Sequence, residues 1–175
     1  MLRIVSNMKE LNFSALCDIY QEYLQELAQT QYRTAAPSSA ILLARQDFYQ
    51  YLRESFFSVQ DAVYAIWNEN GQDVSALRLE PYRDGYLLTA LETLPDARQK
   101  GYAKSLVEES LSWLSEGFTG KVYSHIAKDN SASLKVHIHC GFQIVSNSAR
   151  FLDGSFSKKS YTLQLQIPIV NDVET

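Results

Sequence analysis

One stretch, Leu94-Pro95-Asp96-Ala97-Arg98-Gln99-Lys100-Gly101-Tyr102-Ala103, constrains this chain more than any other. It joins a run of strand formers, Tyr86 to Thr93, to a run in which Ala103, Leu106, Val107, Leu111 and Leu114 recur at helical spacing. A helix that begins here presents unpaired N–H groups and the positive end of its dipole, a combination suited to phosphate. Gly101 lets the backbone approach a ligand with no Cβ in the way, and Arg98 and Lys100 add positive charge. The residues Arg98, Gln99, Lys100, Gly101, Tyr102 and Ala103 therefore read as a diphosphate cradle.

The elements around the cradle follow from periodicity and turn chemistry. A short strand spans Leu2 to Val5. Phe13, Leu16, Tyr20, Leu24 and Leu27 then trace one helix with Asn12 as its cap. A second helix carries Ile41, Ala44, Phe48, Leu52 and Phe56, capped by Ser38 or Ser39. Asn70-Gly71 and Asp84-Gly85 mark tight hairpins and predict a three-stranded antiparallel meander that ends at the cradle. The cradle helix stops near Gly117. Beyond it come a strand from Lys121 to Ala127, a short helix from Ser131 to Cys140 capped by Asn130, and a strand from Phe142 extended towards Phe151. Tyr161, Leu163, Leu165 and Ile167 alternate with polar residues in a final half-buried strand.

Arg98-x-x-Gly101-x-Ala103 resembles the first signature of the GNAT superfamily of acyl-CoA-dependent N-acyltransferases. Asn130-x-x-Ser133-x-x-Val136-His137-x-x-x-Gly141-Phe142 is similar to the second, and two ordered signatures are far more specific than one. The resemblance implies the GNAT fold: an α/β domain over residues 1–175 with a mixed, mostly antiparallel sheet of about seven strands flanked by four helices. It also implies acetyl-CoA as acyl donor. The pantetheine arm would pair with the backbone of Leu91, Glu92 and Thr93, and a backbone N–H of Leu91 or Thr93 would stabilise the tetrahedral oxyanion. Asn130 has two readings, a helix cap or a contact to pantetheine. For Ser133 the resemblance implies the diphosphate or adenosine end.

His137 stands where many family members carry Tyr as the acid that protonates the leaving thiolate. An imidazole near pKa 6.5 is a competent donor to a thiol near 8.5, and a packing histidine is the other reading. An alkylammonium near pKa 10 must lose its proton before attack. Glu92, an acid in an otherwise apolar strand, is the candidate base, with His125 a weaker one. Glu80 and Arg78 share a strand face and read as a solvated ion pair. The acceptor pocket falls to the first two helices and the segment near Asp153-Gly154.

Composition narrows the alternatives. Net charge −4 argues against a nucleic-acid scaffold. Two cysteines make no disulfide framework, and His137 and His139 point to different helix faces, so no metal is expected. Met1 to Ser6 lacks the apolar core of a signal peptide and no long apolar run follows, so the default is cytoplasmic with no membrane partner. No Gly-x-Gly-x-x-Gly or Gly-Lys-Ser/Thr loop supports a dinucleotide or nucleoside-triphosphate role. The leading reading is acetyl transfer to the primary amine of a small molecule by direct attack. Protein lysine or N-terminal acetylation, or a non-catalytic acyl-CoA-binding module, stand as alternatives. A homodimer through the C-terminal strands is implied by the resemblance alone.

Overall fold

The computed structural model describes residues 1–168; the last residues of the expected domain, 169–175, lie outside the described residues. A seven-stranded sheet runs in the order β1 (Leu2–Val5), β2 (Val63–Glu69), β3 (Gln72–Tyr82), β4 (Gly85–Thr93), β5 (Gly120–Ala127), β9 (Ser160–Ile167), β6 (Gln143–Ser146). All neighbours are antiparallel except β4 and β5, which the crossover helix α4 (Tyr102–Ser115) makes parallel. Helices α1 (Phe13–Ile19), α2 (Gln21–Gln31) and α3 (Pro37–Tyr51) cover one face with Leu16, Leu24, Phe48 and Phe56 as core. On the other face α4 and α5 (Ser131–His139) pack Leu106, Val107 and Phe142 against Leu77, Leu88 and Val122.

The sheet is the expected one, while five α-helices stand among the described residues where four were expected. The helix read through Tyr20 breaks there, at φ −92° and ψ 22°. The Tyr20 N–H still closes α1 on the Leu16 carbonyl, but its hydroxyl donates to the Ala90 carbonyl, which directs the chain across the sheet. Neither Ser38 nor Ser39 caps α3; it starts on Pro37, whose missing N–H is harmless at that position, with Ala36 as an extended N-cap. At its far end α3 widens into a π-helical turn, Leu52–Phe56. The strand expected from Phe142 towards Phe151 ends at Ser146, and β7 (Ala149–Arg150) pairs instead with β8 (Phe156–Ser157) in a separate ribbon.

Both hairpins are present, yet only Asn70-Gly71 turns through positive φ at both residues. In the second, Arg83 at φ 54° takes the strained position and Gly85 already pairs with Tyr82. Gly85 is needed for a different reason: a Cβ there would lie 1.9 Å from the Lys121 carbonyl oxygen of β5. That close approach seats the parallel pair next to the site.

Candidate functional site

The sheet opens where the signatures converge. Pairing of β4 with β5 ends at Leu88 and Ser124, although β4 continues to Thr93 and β5 to Ala127. A bulge between β3 and β4 starts the divergence: Arg78 pairs with Thr89 and Ala76 with Glu92, and Ala90 adopts φ 52°. Ser75 Oγ donates to the Glu92 carbonyl, and the Leu94 N–H donates to Val74. Backbone groups alternate along a strand, so those of Leu91 and Thr93 face the edge that β5 leaves open.

This opening is a cavity of about 620 Å³. Its wall brings together Leu91, Glu92, Thr93, Arg98, Gln99, Gly101, Tyr102, Ala103, Asn130 and Ser133 from the sequence reading. Glu22, Ala97, Lys104, Ala132 and Val136 complete it. Lys100 lies apart, in a neighbouring groove with Asn70, Pro95 and Asp96. Ala132 and Val136 were legible as one helical face with Ser133; Glu22 reads from sequence as an acid that would suit a cationic amine, and no local spacing joins it to Arg98, 76 residues away.

The cradle fits a diphosphate on its own geometry. Gly101 caps α4 at φ 85°, and no side chain hydrogen-bonds the first-turn amides. A Cβ at Gly101 would have no atom within 4 Å, so it would project into open space. Gln99, at φ 63°, holds a left-handed conformation that a non-glycine residue seldom adopts. Arg98 is tied in place: its Nη atoms donate to Glu22 at 3.0 and 2.7 Å, and its Nε to the Thr93 carbonyl at 3.2 Å. Such a two-pronged pair fixes the guanidinium plane.

Glu92 sits on the wall with one oxygen 3.8 Å from Arg98. Burial raises its pKa above the ordinary glutamate value, with Arg98 opposing. His137 lies behind the wall, 1% exposed. Its Nδ1 donates to the Ser133 carbonyl at 2.9 Å and its Nε2 accepts from Ser124 Oγ at 3.2 Å, the neutral tautomer this network selects. Burial lowers its pKa, with the Ser133 carbonyl opposing, so the ring is neutral at pH 7. Asn130 caps α5 by accepting from the Ser133 N–H at 3.0 Å and also lines the cavity. Burial pushes the Cys17 and Cys140 thiols up to about 11. Glu80 and Arg78 are not a solvated ion pair: Glu80 is 6% exposed and the two form no salt bridge or hydrogen bond.

A sheet of this order, parted between β4 and β5 and ending in an amide cradle, defines an acyl-CoA-dependent acyltransferase. The chain belongs to the acetyltransferase (GNAT) family, whose model matches residues 15–142, and acetyl-CoA is its acyl donor. Among solved structures, the ribosomal-protein-S18-alanine N-acetyltransferase of Escherichia coli is similar at 17% identity and TM-score 0.64, covering 100% of this chain and 99% of its own. The PaiA N-acetyltransferase of Thermoplasma acidophilum, in complex with coenzyme A, is similar at 11% identity and TM-score 0.64, covering 95% and 99%. An aminoglycoside 6'-acetyltransferase type Ii aligns at 12% identity and TM-score 0.64, covering 98% and 99%. These identities speak to the fold. No curated protein matches the sequence. Among the described residues, no helix is long and apolar enough to cross a membrane, and no group of three or more His, Cys, Asp or Glu is placed to hold a metal ion.

Proposed function

We propose that this protein transfers the acetyl group of acetyl-CoA to the primary amine of a small molecule by direct attack in a ternary complex. The observation that carries the proposal is the parted β4–β5 edge, with an uncapped helix terminus at one end and the partly buried Glu92 on its wall. The amides from Gln99 to Ala103 hold the diphosphate with Arg98, the outward backbone of Leu91 and Thr93 pairs with pantetheine, and Asn130 and Ser133 complete the donor site. Lys100 contributes charge from the neighbouring groove.

Glu92 takes the proton from the acceptor ammonium, directly or through water. The freed amine attacks the thioester carbonyl, forming the C–N bond, while a backbone N–H of Leu91 or Thr93 meets the developing oxyanion. The C–S bond then breaks and the thiolate takes a proton. That proton is the second one shed by the attacking nitrogen, while His137, neutral and one layer back, positions Ser133, whose Oγ lies 3.4 Å from Nδ1. Two thiols near pKa 11 leave an acyl-cysteine route without a nucleophile, which supports direct attack. Tyr51 and Phe56 come down over the sheet from α3 and its π turn, a cover that favours a small acceptor over a protein tail. The unpaired, unreactive thiols also suit a cytoplasmic setting.

The test is thermal stabilisation by acetyl-CoA and CoA against NAD and ATP, followed by thiol release with a panel of amines. Ligand at a hundredfold its dissociation constant stabilises by about 2.7 kcal/mol. Gly101→Glu is expected to abolish the shift. Glu92→Gln is expected to keep it while lowering kcat by about a hundredfold. CoA binding without turnover of any amine, peptide N-terminus or lysine would favour a non-catalytic binding module.

A further inference from the structure

The register of the sheet places four polar residues in one row. Tyr64 on β2 pairs with Arg78 on β3, and Arg78 pairs with Thr89 on β4. One step beyond the last β4–β5 pair, His125 on β5 stands level with Thr89. Directly opposed residues share a face; at Tyr64 this face is covered by α1 to α3, and at its other end His125 packs edge-on against Tyr82 and Phe151. Among the described residues six buried side-chain polar atoms lack a hydrogen-bond partner. Five belong to this row: Tyr64 Oη, Arg78 Nε, Thr89 Oγ1 and both ring nitrogens of His125. Unpaired buried polar atoms are rare because each costs about 1–3 kcal/mol. A row of them, ending where β4 and β5 part, points to a ligand.

The charge of that ligand follows from Arg78. Its guanidinium is always protonated, is flanked by the Tyr51 and Phe56 rings at 5.3 and 5.6 Å, and donates from Nη1 to the Tyr51 hydroxyl at 2.6 Å. It has no carboxylate partner among the described residues. Glu80, two residues along the same face, does not supply one; burial raises its pKa despite the neighbouring cation. A mostly desolvated cation without an anion is costly unless the anion arrives with a ligand. Resting on the acetyl-transfer reading above, we infer that the acceptor is a primary amine that also carries a carboxylate, bound by Arg78 with Tyr51 and Thr89. Arg78 stands one strand over from the β4 segment that leads to Leu91, so a carboxylate on Arg78 and an amine at the parted edge can belong to one small molecule. His125, neutral because burial and Arg83 both lower its pKa, supplies one further hydrogen bond at the mouth of the opening.

Two measurements test this. Thiol release is compared for amino acids and their decarboxylated amines; the wild type should prefer the acids by about tenfold to a hundredfold in kcat/KM. In Arg78→Gln, KM for the acid should rise at least tenfold more than KM for the matching amine, with Arg78→Lys intermediate. Should Arg78→Gln not fold, Tyr51→Phe, which removes only the hydroxyl at the guanidinium tip, should show the same bias more weakly. Independently of turnover, N-acetylated amino acids should stabilise the CoA-bound protein against heat, whereas N-acetylated decarboxylated amines should not. Acid binding that requires Arg78, without turnover of any amine, would keep the carboxylate site and sink acetyl transfer. Turnover of polyamines or plain amines at or above the rate for the acids, or no binding of the acids, would overturn the inference.

Discussion

His137 carries a prediction with a definite sign. The native chain holds its imidazole neutral, whereas the unfolded chain protonates it near the ordinary value of 6.5. Below that value the unfolded state binds more protons, so the stability present above it is lost as pH falls. Between about pH 7 and pH 5 the melting temperature of the wild type should therefore fall more than that of His137→Asn. Equal slopes would mean that the ring is not buried neutral. His125 adds a contribution of the same sign. Glu92 shows the opposite case, a carboxyl whose pKa burial raises, with Arg98 opposing, which makes its carboxylate a stronger base. Glu92, Asn130 and the cradle could be singled out from sequence because each is read from its immediate chain neighbours: a strand end, a helix cap and a strand-to-helix turn. It could not show that His137 faces Ser124 and Phe142, which depends on how α5 rolls against β5.

At the scale of elements, the close approach of β4 and β5 decides whether the cleft exists. Gly85→Ala would drive a methyl against the Lys121 carbonyl at 1.9 Å, a backbone atom that cannot move aside alone. The expected cost is about 3 kcal/mol, read as a fall in the denaturation midpoint at unchanged slope. A neutral outcome would show that the parallel pair can slide. The bulge at Ala90 is held from outside its strand, by the Tyr20 hydroxyl from the junction of α1 and α2. Local pattern read one helix through Tyr20, since Leu16, Tyr20 and Leu24 do share a stripe. The break follows from a bond to a residue 70 positions away.

For the whole molecule, the edge of the sheet matters most. Among the described residues β6 is one of the sheet's two edge strands, and Ile144 and Val145 on it are 46% and 52% exposed. An apolar open edge is a template for a second chain. The homodimer through the C-terminal strands is therefore proposed as the solution state. Sedimentation velocity should give twice the 19.9 kDa chain mass, and Ile144→Lys should shift it to monomer with acetyl-CoA binding intact. A monomeric wild type at micromolar concentration would remove the proposal.

The sequence by itself determined what depends on neighbours a few positions apart. That covers the strand and helix periods, the Asn12 and Asn130 caps, the Asn70-Gly71 turn, and an amide cradle opened by Gly101 after a strand. Only the tertiary structure decided what depends on register. Tyr64, Arg78, Thr89 and His125 align because three strand pairings bring them level. Glu22 clamps Arg98 across 76 residues for the same kind of reason. Such groupings leave no local spacing to read, because pairing and packing choose the partners, and the burial that shifts Glu92 and His137 exists only once the layers have closed.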